Sequence, residues 1–170
     1  MKKIALQLAL ILAVVTVYGQ SQPPKVQTYG LFMYSFTRFV QWPPEASEGD
    51  FEIAVLGESP IYTELKTMAE RKKAGSRTIK VTKINSVAEF KKGQILYVSQ
   101  DFSAKYADVA AKIGDSPVLI VTEQAAPGSK GCVNFVTNKE GRLAFELNQA
   151  AMAQHKLKAS AELTRLAIAN

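Results

Sequence analysis

Apolar residues recur at three- and four-residue spacing near the amino end of the chain, which predicts a helix from about residue 24 to residue 40. Its apolar face consists of Val26, Tyr29, Phe32, Met33, Phe36 and Val40. A pair of prolines ends the helix. A short apolar strand from Phe51 to Leu56 follows, and Ser59 and Pro60 are suited to begin a second helix.

Strand and helix patterns then alternate as far as residue 122. Alternating apolar and polar residues predict a strand from Thr78 to Ile84, and continuous apolar runs predict buried strands from Ile95 to Val98 and from Pro117 to Thr122. Helical patterns separate these strands. The alternation favours an α/β fold with three layers, in which a mostly parallel sheet is flanked by helices on both faces.

Two further strand patterns lie between residues 132 and 147, separated by only four residues. If the glycine that ends this loop adopts the positive φ of a type I turn with a bulge, Phe135 pairs with Phe145 and Asn134 pairs with Glu146. A plain four-residue loop would set Asn134 against Phe145, so the side-chain pattern selects the bulged turn. We therefore predict a C-terminal antiparallel hairpin at one edge of the sheet.

The amino terminus has the pattern of an export signal. Two lysines precede an uncharged apolar run from Ile4 to Val17, which is shorter than the roughly 20 residues of a membrane-spanning helix. Val17 and Gly19 are small enough for the positions before a cleavage site, and no cysteine follows them to accept a lipid. We predict a signal peptide over residues 1–19 and one periplasmic domain over residues 20–170, without direct membrane insertion after cleavage.

The composition argues against several classes of function. The formal net charge of +6 is spread without a basic run, so nucleic-acid binding gains no support. His155 and Cys132 are the sole histidine and the sole cysteine, which is too few for a zinc site. We predict no enzymatic activity, no cofactor and no metal, and we expect His155 to be exposed. An enzyme would require carboxylates such as Asp101, Asp108 or Glu123 to converge in a closed cleft.

Cys132 has no partner in its own chain. It is interpreted either as a small buried residue within a strand or as the site of a disulfide between two copies in an oxidising compartment. The second interpretation would support a homodimer.

Two loops are places where a ligand could bind. Residues 57–60 follow a strand and precede a helix, the position at which α/β folds often bind ligands. Residues 126–131 are rich in glycine, and their amides beside Lys130 could hold an anion. Helix capping accounts for the first loop and a simple strand connection for the second. The loops nevertheless motivate an alternative function, that of a periplasmic small-ligand-binding sensor domain.

The segment LFMYSFTRFVQWP, from Leu31 to Pro43, resembles the opening signature of the YfiR-like family, also called the YfiR/HmsC family. Residues 55–57 are similar to the first strand and turn of that family, and residues 131–136 to its glycine-and-INFV strand. Residues 145–148 resemble its FEIN strand, and residues 157–166 its closing segment. The resemblance spans nearly all of the predicted mature chain.

This resemblance implies a periplasmic α/β protein without known catalysis. Such a protein restrains a membrane-anchored signalling protein, either a diguanylate cyclase or a receptor kinase, by binding its periplasmic part. Effects on cyclic-di-GMP, biofilm and exopolysaccharide would follow. The resemblance also implies dimers and a redox response of cysteine pairs, but Cys132 stands alone, so an internal disulfide switch is excluded.

Six residues are candidates for contact with a partner or a ligand. They are Tyr34, Arg38, Trp42, Asn134, Glu146 and Asn148. Trp42 either seals the core or anchors a partner, and Arg38 is expected to meet solvent, where it could bind an acidic partner. Asn134 and Glu146 are expected on the polar face of the edge hairpin, where a second chain could add a strand. A simple cross-strand hydrogen bond explains this pair equally well.

Overall fold

A computed structural model describes residues 24–168 of the 170-residue chain. The predicted signal peptide over residues 1–19 lies outside the described residues. Within the described range, no helix combines the length and the apolar character needed to cross a membrane.

Helices and strands alternate through most of the described range. The α-helices there are α1 (Pro24–Phe39), α2 (Ile61–Arg71), α3 (Tyr106–Ile113), α4 (Gln149–Gln154) and α5 (Ala161–Leu166). Short 3-10 helices lie at Pro44–Ala46, Val87–Glu89 and Gln100–Lys105. The strands are β1 (Val40–Gln41), β2 (Phe51–Leu56), β3 (Lys73–Ala74), β4 (Arg77–Ile84), β5 (Ile95–Val98), β6 (Leu119–Glu123), β7 (Val133–Thr137), β8 (Leu143–Leu147) and β9 (Lys158–Ala159).

Seven of these strands form one mixed, mostly parallel sheet in the order β3-β4-β2-β5-β6-β7-β8. The five strands from β4 to β7 are parallel, whereas β3 and β8 pair antiparallel at the two edges. From β2 the chain moves outward to β4, and from β5 it moves outward in the other direction to β6. The strand order therefore reverses between β2 and β5, and parallel sheets bind ligands at such switch points. The mostly parallel α/β fold predicted from the sequence is confirmed.

Both sides of the central strands are buried. In β2, Ile53 and Val55 belong to a cluster that includes residues of α1 and α2, whereas Ala54 and Leu56 belong to a second cluster that includes Val109 of α3. Burial on both sides explains why these strands appear in the sequence as continuous apolar runs.

Helix α1 packs on the larger cluster through the apolar stripe predicted for it. Tyr29, Met33 and Phe36 are buried. The ring of Phe36 stacks on Phe135 at a centroid distance of 5.9 Å and meets Phe145 edge-on at 5.3 Å. Each such aromatic pair contributes about 0.5–1.5 kcal/mol beyond the burial of area. The stripe thus fastens α1 to strands β7 and β8.

Strands β7 and β8 are adjacent in the chain and pair antiparallel. Phe135 lies opposite Phe145 and Asn134 lies opposite Glu146, the pairs expected from the side-chain pattern. Gly141 has a φ of 74°, a conformation that glycine adopts at low cost. One face of the pair consequently carries the aromatic residues, and the other carries the polar residues considered below.

Candidate functional site

The polar pair of β7 and β8 lies at the centre of a hydrogen-bond network. Asn134 is only 2% exposed. Its Oδ1 accepts hydrogen bonds from Thr122 Oγ1 at 3.0 Å and from the backbone N–H of Ala125 at 3.1 Å. Its Nδ2 donates to Glu146 Oε2 at 3.0 Å. The predicted cross-strand contact is therefore present, and it also fastens the connection between β6 and β7.

Lys130 completes this network, because its Nζ lies 2.7 Å from Glu146 Oε2. Partial burial by itself raises the pKa of Glu146, but the hydrogen bonds from Lys130 and Asn134 and the charge of Lys130 outweigh it and lower that pKa. Since the ammonium of Lys130 is engaged within the chain, its contacts support the interpretation of this loop as a strand connection.

Asn148 lies next to the network and caps α4. Its Oδ1 accepts a hydrogen bond from the backbone N–H of Ala151 at 3.0 Å, and its own N–H donates to the carbonyl of Cys132 at 2.9 Å. Asn134, Glu146 and Asn148 line one surface depression of about 380 Å³. The fold thus brings together three of the six predicted site residues.

The edge strand β8 is not fully free to pair with another chain. The backbone N–H of Ile168 donates to the carbonyl of Phe145 at 2.9 Å, and Ile168 forms a parallel bridge with Glu146. At this point the chain's own closing segment covers the edge, so strand addition there would require that segment to move.

The other three predicted residues lie on α1 and just after it. Trp42 packs edge-on against Phe51 at 5.2 Å and contacts the larger cluster, which supports its interpretation as a core seal. Its buried Nε1 finds no acceptor among the described residues. Tyr34 is partly buried, with Lys72 Nζ 5.7 Å from its ring centroid. Arg38 is exposed, as expected.

Cys132 and His155 are both buried. Burial raises the pKa of the Cys132 thiol to about 11, and its side chain is 0% exposed. A disulfide between two copies would therefore require this region to open first. The expectation of an exposed His155 was wrong, since it is 5% exposed and its Nδ1 lies 2.9 Å from the carbonyl of Ser116. Its lysine- and alanine-rich neighbours gave no signal of this packing.

A cavity of about 390 Å³ lies at the switch between β2 and β5. Its lining comes from α1, from the loops that follow β2 and β5, and from the end of β6. The lining residues that carry charge or hydroxyl groups include Lys25, Tyr29, Glu58, Ser59, Asp101 and Glu123. Residues 58–60, from the first loop that was considered for ligand binding, form one wall of this cavity, whereas Lys25 and Tyr29 were not among the predicted site residues.

Glu123 is the most closely held polar group of this cavity. Tyr97 Oη donates to Glu123 Oε2 at 2.7 Å, and Tyr29 Oη donates to Oε1. Lys25 Nζ lies 3.8 Å from Oε1. Burial first, and then the charge of Glu123 and the hydrogen bonds to it, raise the pKa of Tyr29 and of Tyr97, so both phenols stay protonated donors.

Of the three carboxylates considered for catalysis, Asp101 and Glu123 line this cavity, and Asp108 is not among its lining residues. Across residues 24–168, no three histidine, cysteine, aspartate or glutamate side chains form a group that could hold a metal ion.

Comparison with protein-family models identifies a family for this chain. A search of curated proteins finds nothing similar. The model of the YfiR/HmsC-like family matches residues 27–168, which include the rest of α1 after its first turn, the whole mixed sheet and the closing helix. Since this match covers most of the 170 residues, the chain belongs to the YfiR/HmsC-like family.

Proposed function

We propose that the mature protein is a periplasmic regulator that binds the periplasmic part of a membrane-anchored signalling protein and restrains it. The observation that supports this function is the family match over residues 27–168. The proposed partner is a diguanylate cyclase or a similar receptor, and the proposed output is the level of cyclic-di-GMP. The protein would act by stoichiometric binding, without a reaction of its own.

The outer face of α1 is the surface that we propose for partner contact. Leu31 is 68% exposed and Leu166 is 52% exposed, although both are large apolar side chains. They lie on α1 and α5, two helices that contact each other. Arg38 lies about two turns after Leu31 and so shares its face of α1. Arginine is enriched at protein interfaces, and a large exposed apolar side chain is stabilised when a partner removes it from water.

The test uses purified protein and the periplasmic part of the cyclase or receptor recovered with it from membranes. We expect Leu31→Glu to weaken this complex at least about tenfold, or about 1.4 kcal/mol, and Arg38→Glu to weaken binding to an acidic partner to a similar degree. Both positions are exposed, so the thermal midpoint should change little.

Lys66→Glu on the exposed side of α2 is the matched control and should bind as the wild type does. Recovery of no signalling protein from membranes would count against the proposed function. Unchanged affinity of Leu31→Glu for a recovered partner would instead exclude the α1 surface.

A further inference from the structure

The cavity at the switch between β2 and β5 is separate from the exposed α1 residues proposed above for partner contact. We infer that it is a binding site for a small organic amine, with diamines as the best-matched class. This inference goes beyond the proposed regulatory function and does not depend on it. It is based on the position of the cavity at the switch point, on the lining charges and on the contacts of Lys25.

The chain's own Lys25 marks a place where an ammonium group is accommodated. Its Nζ lies 3.8 Å from Glu123 Oε1 and 5.7 Å from the centroid of the Tyr29 ring. A carboxylate beside an aromatic face is the environment in which proteins hold ammonium groups. The side chain of Lys25 is 46% exposed and belongs to the first turn of α1, so it can move into solvent when a ligand enters.

Glu123 is fixed in place before any ligand arrives. Its side chain is 16% exposed, and each of its oxygens accepts a hydrogen bond from a different tyrosine, Tyr29 or Tyr97. A carboxylate that is already oriented loses little conformational freedom on binding. This arrangement favours recognition of a cation at one defined point of the cavity.

The charges of the lining favour a ligand with two ammonium groups. Glu58 pairs with Lys83, which leaves Asp101 and Glu123 as the other lining carboxylates, and Lys25 supplies the one ammonium among the lining residues. If Lys25 moves into solvent, two negative charges remain in the cavity. A diamine balances both, whereas a monoamine balances one.

An anion is the less favoured occupant, although the amino end of α2 opens on the same cavity. Two of the N–H groups at this helix end are already engaged by Ser59. The N–H of Ile61 donates to its Oγ at 3.4 Å, and the N–H of Tyr62 donates to its carbonyl at 3.1 Å. The acidic lining also repels an anion.

The experiment measures binding of four probes to the mature chain by calorimetry and thermal shift at constant ionic strength. The probes are 1,4-diaminobutane, butylamine, 4-aminobutyrate and butyrate. We expect 1,4-diaminobutane to bind and to raise the thermal midpoint, butylamine and 4-aminobutyrate to bind more weakly, and butyrate not to bind.

Three variants and one control test the assigned roles. Glu123→Gln should weaken 1,4-diaminobutane binding at least about tenfold, whereas Lys25→Gln should strengthen it about threefold, because the competing ammonium is removed. Tyr29→Phe keeps the ring but removes one donor to Glu123, and it should weaken binding a few-fold. Glu70→Gln, an exposed acidic position on α2 outside the lining, should have no effect.

If Glu123→Gln does not fold, the affinities of Lys25→Gln and Tyr29→Phe for 1,4-diaminobutane test the inference. The inference is overturned if 1,4-diaminobutane gives no signal up to about 10 mM. It is also overturned if Lys25→Gln binds no more tightly than the wild type, or if either acidic probe binds as well as the diamine.

Discussion

Replacing Asn134 by aspartate converts one hydrogen-bond donor into an acceptor at a buried position without changing the shape of the side chain. In the wild type, Asn134 Nδ2 lies 3.0 Å from Glu146 Oε2. In Asn134→Asp, a second carboxylate would stand at that position, 2% exposed. Two carboxylates this close cannot both be ionised without strong repulsion, so the native state must bind a proton or lose the contact.

The loss of unfolding free energy in Asn134→Asp has an upper and a lower limit. An aspartate with an unfolded pKa of about 3.9 costs about 4 kcal/mol to protonate at pH 7, at about 1.4 kcal/mol per pH unit. Loss of a hydrogen bond to a charged group costs about 1.5–3 kcal/mol. Lys130 Nζ, 2.7 Å from Glu146 Oε2, weakens the repulsion. We therefore expect a loss of about 3 kcal/mol at pH 7, or a thermal midpoint lower by about 10 °C.

The direction in which this loss of stability changes with pH shows whether repulsion between the two carboxylates causes it. The native state raises the pKa of the new carboxyl group, so the destabilisation is absent below its unfolded pKa and grows as the pH rises above it. At pH 5 the protonation cost falls to about 1.5 kcal/mol. The difference in unfolding free energy between wild type and variant should consequently shrink between pH 7 and pH 5.

Urea unfolding of the wild type and of Asn134→Asp at both pH values measures this difference. The double variant Asn134→Asp/Glu146→Gln should recover most of the loss, because an amide can donate to the new carboxylate. A variant as stable as the wild type at pH 7, or a loss that is equal at the two pH values, would show that the two side chains do not face each other in solution.

Two further predictions concern buried positions. Gly57 has a φ of 86°, and a Cβ there would lie 2.4 Å from Ser99 Oγ and 2.5 Å from Phe102, so Gly57→Ala should lower the unfolding free energy by about 2–4 kcal/mol. Gly75→Ala shares the positive φ but meets no atom within 4 Å, and should cost only about 1 kcal/mol in the same urea titration. The Cys132 thiol is buried and its pKa is raised to about 11, so it should not react with an aromatic disulfide reagent at pH 8 until denaturant is added. Rapid labelling of the native chain would contradict its burial.

The elements that could be predicted from the sequence are those whose apolar residues either recur at a regular spacing or form a continuous run. Strand β2 has the predicted bounds, Phe51–Leu56, as does β5, Ile95–Val98. Both are buried on two sides, so all of their positions except Glu52 in β2 are apolar. The pairing of Asn134 with Glu146 could also be predicted, because a change of register would have moved polar residues onto the apolar face.

Other features depend on contacts between distant parts of the chain and leave no local pattern. The two-residue strands β1 and β9 are too short to show any period. His155 and Ser116 are 39 residues apart, and Tyr29 and Glu123 are 94 residues apart. Glu123 stands at the end of an apolar strand, but this position in the sequence does not reveal which helix faces it.

The segment that resembles the family signature is mainly a packing element, which limits what the resemblance says about partners. Met33, Phe36 and Val40 are buried, whereas Leu31 and Arg38 point to solvent. Core packing constrains the buried positions of α1, so contacts with a partner must come from the exposed ones.

The same helix also carries Lys25 and Tyr29, which line the cavity at the switch point. An amine that displaces Lys25 therefore acts on the helix whose outer face we propose as the partner surface. By linkage, an amine that binds the free protein and its complex with different affinities must shift partner affinity by the same factor. Measuring partner affinity with and without 1,4-diaminobutane tests whether the two proposed sites are coupled. Equal affinities would show that the cavity and the α1 surface are energetically independent.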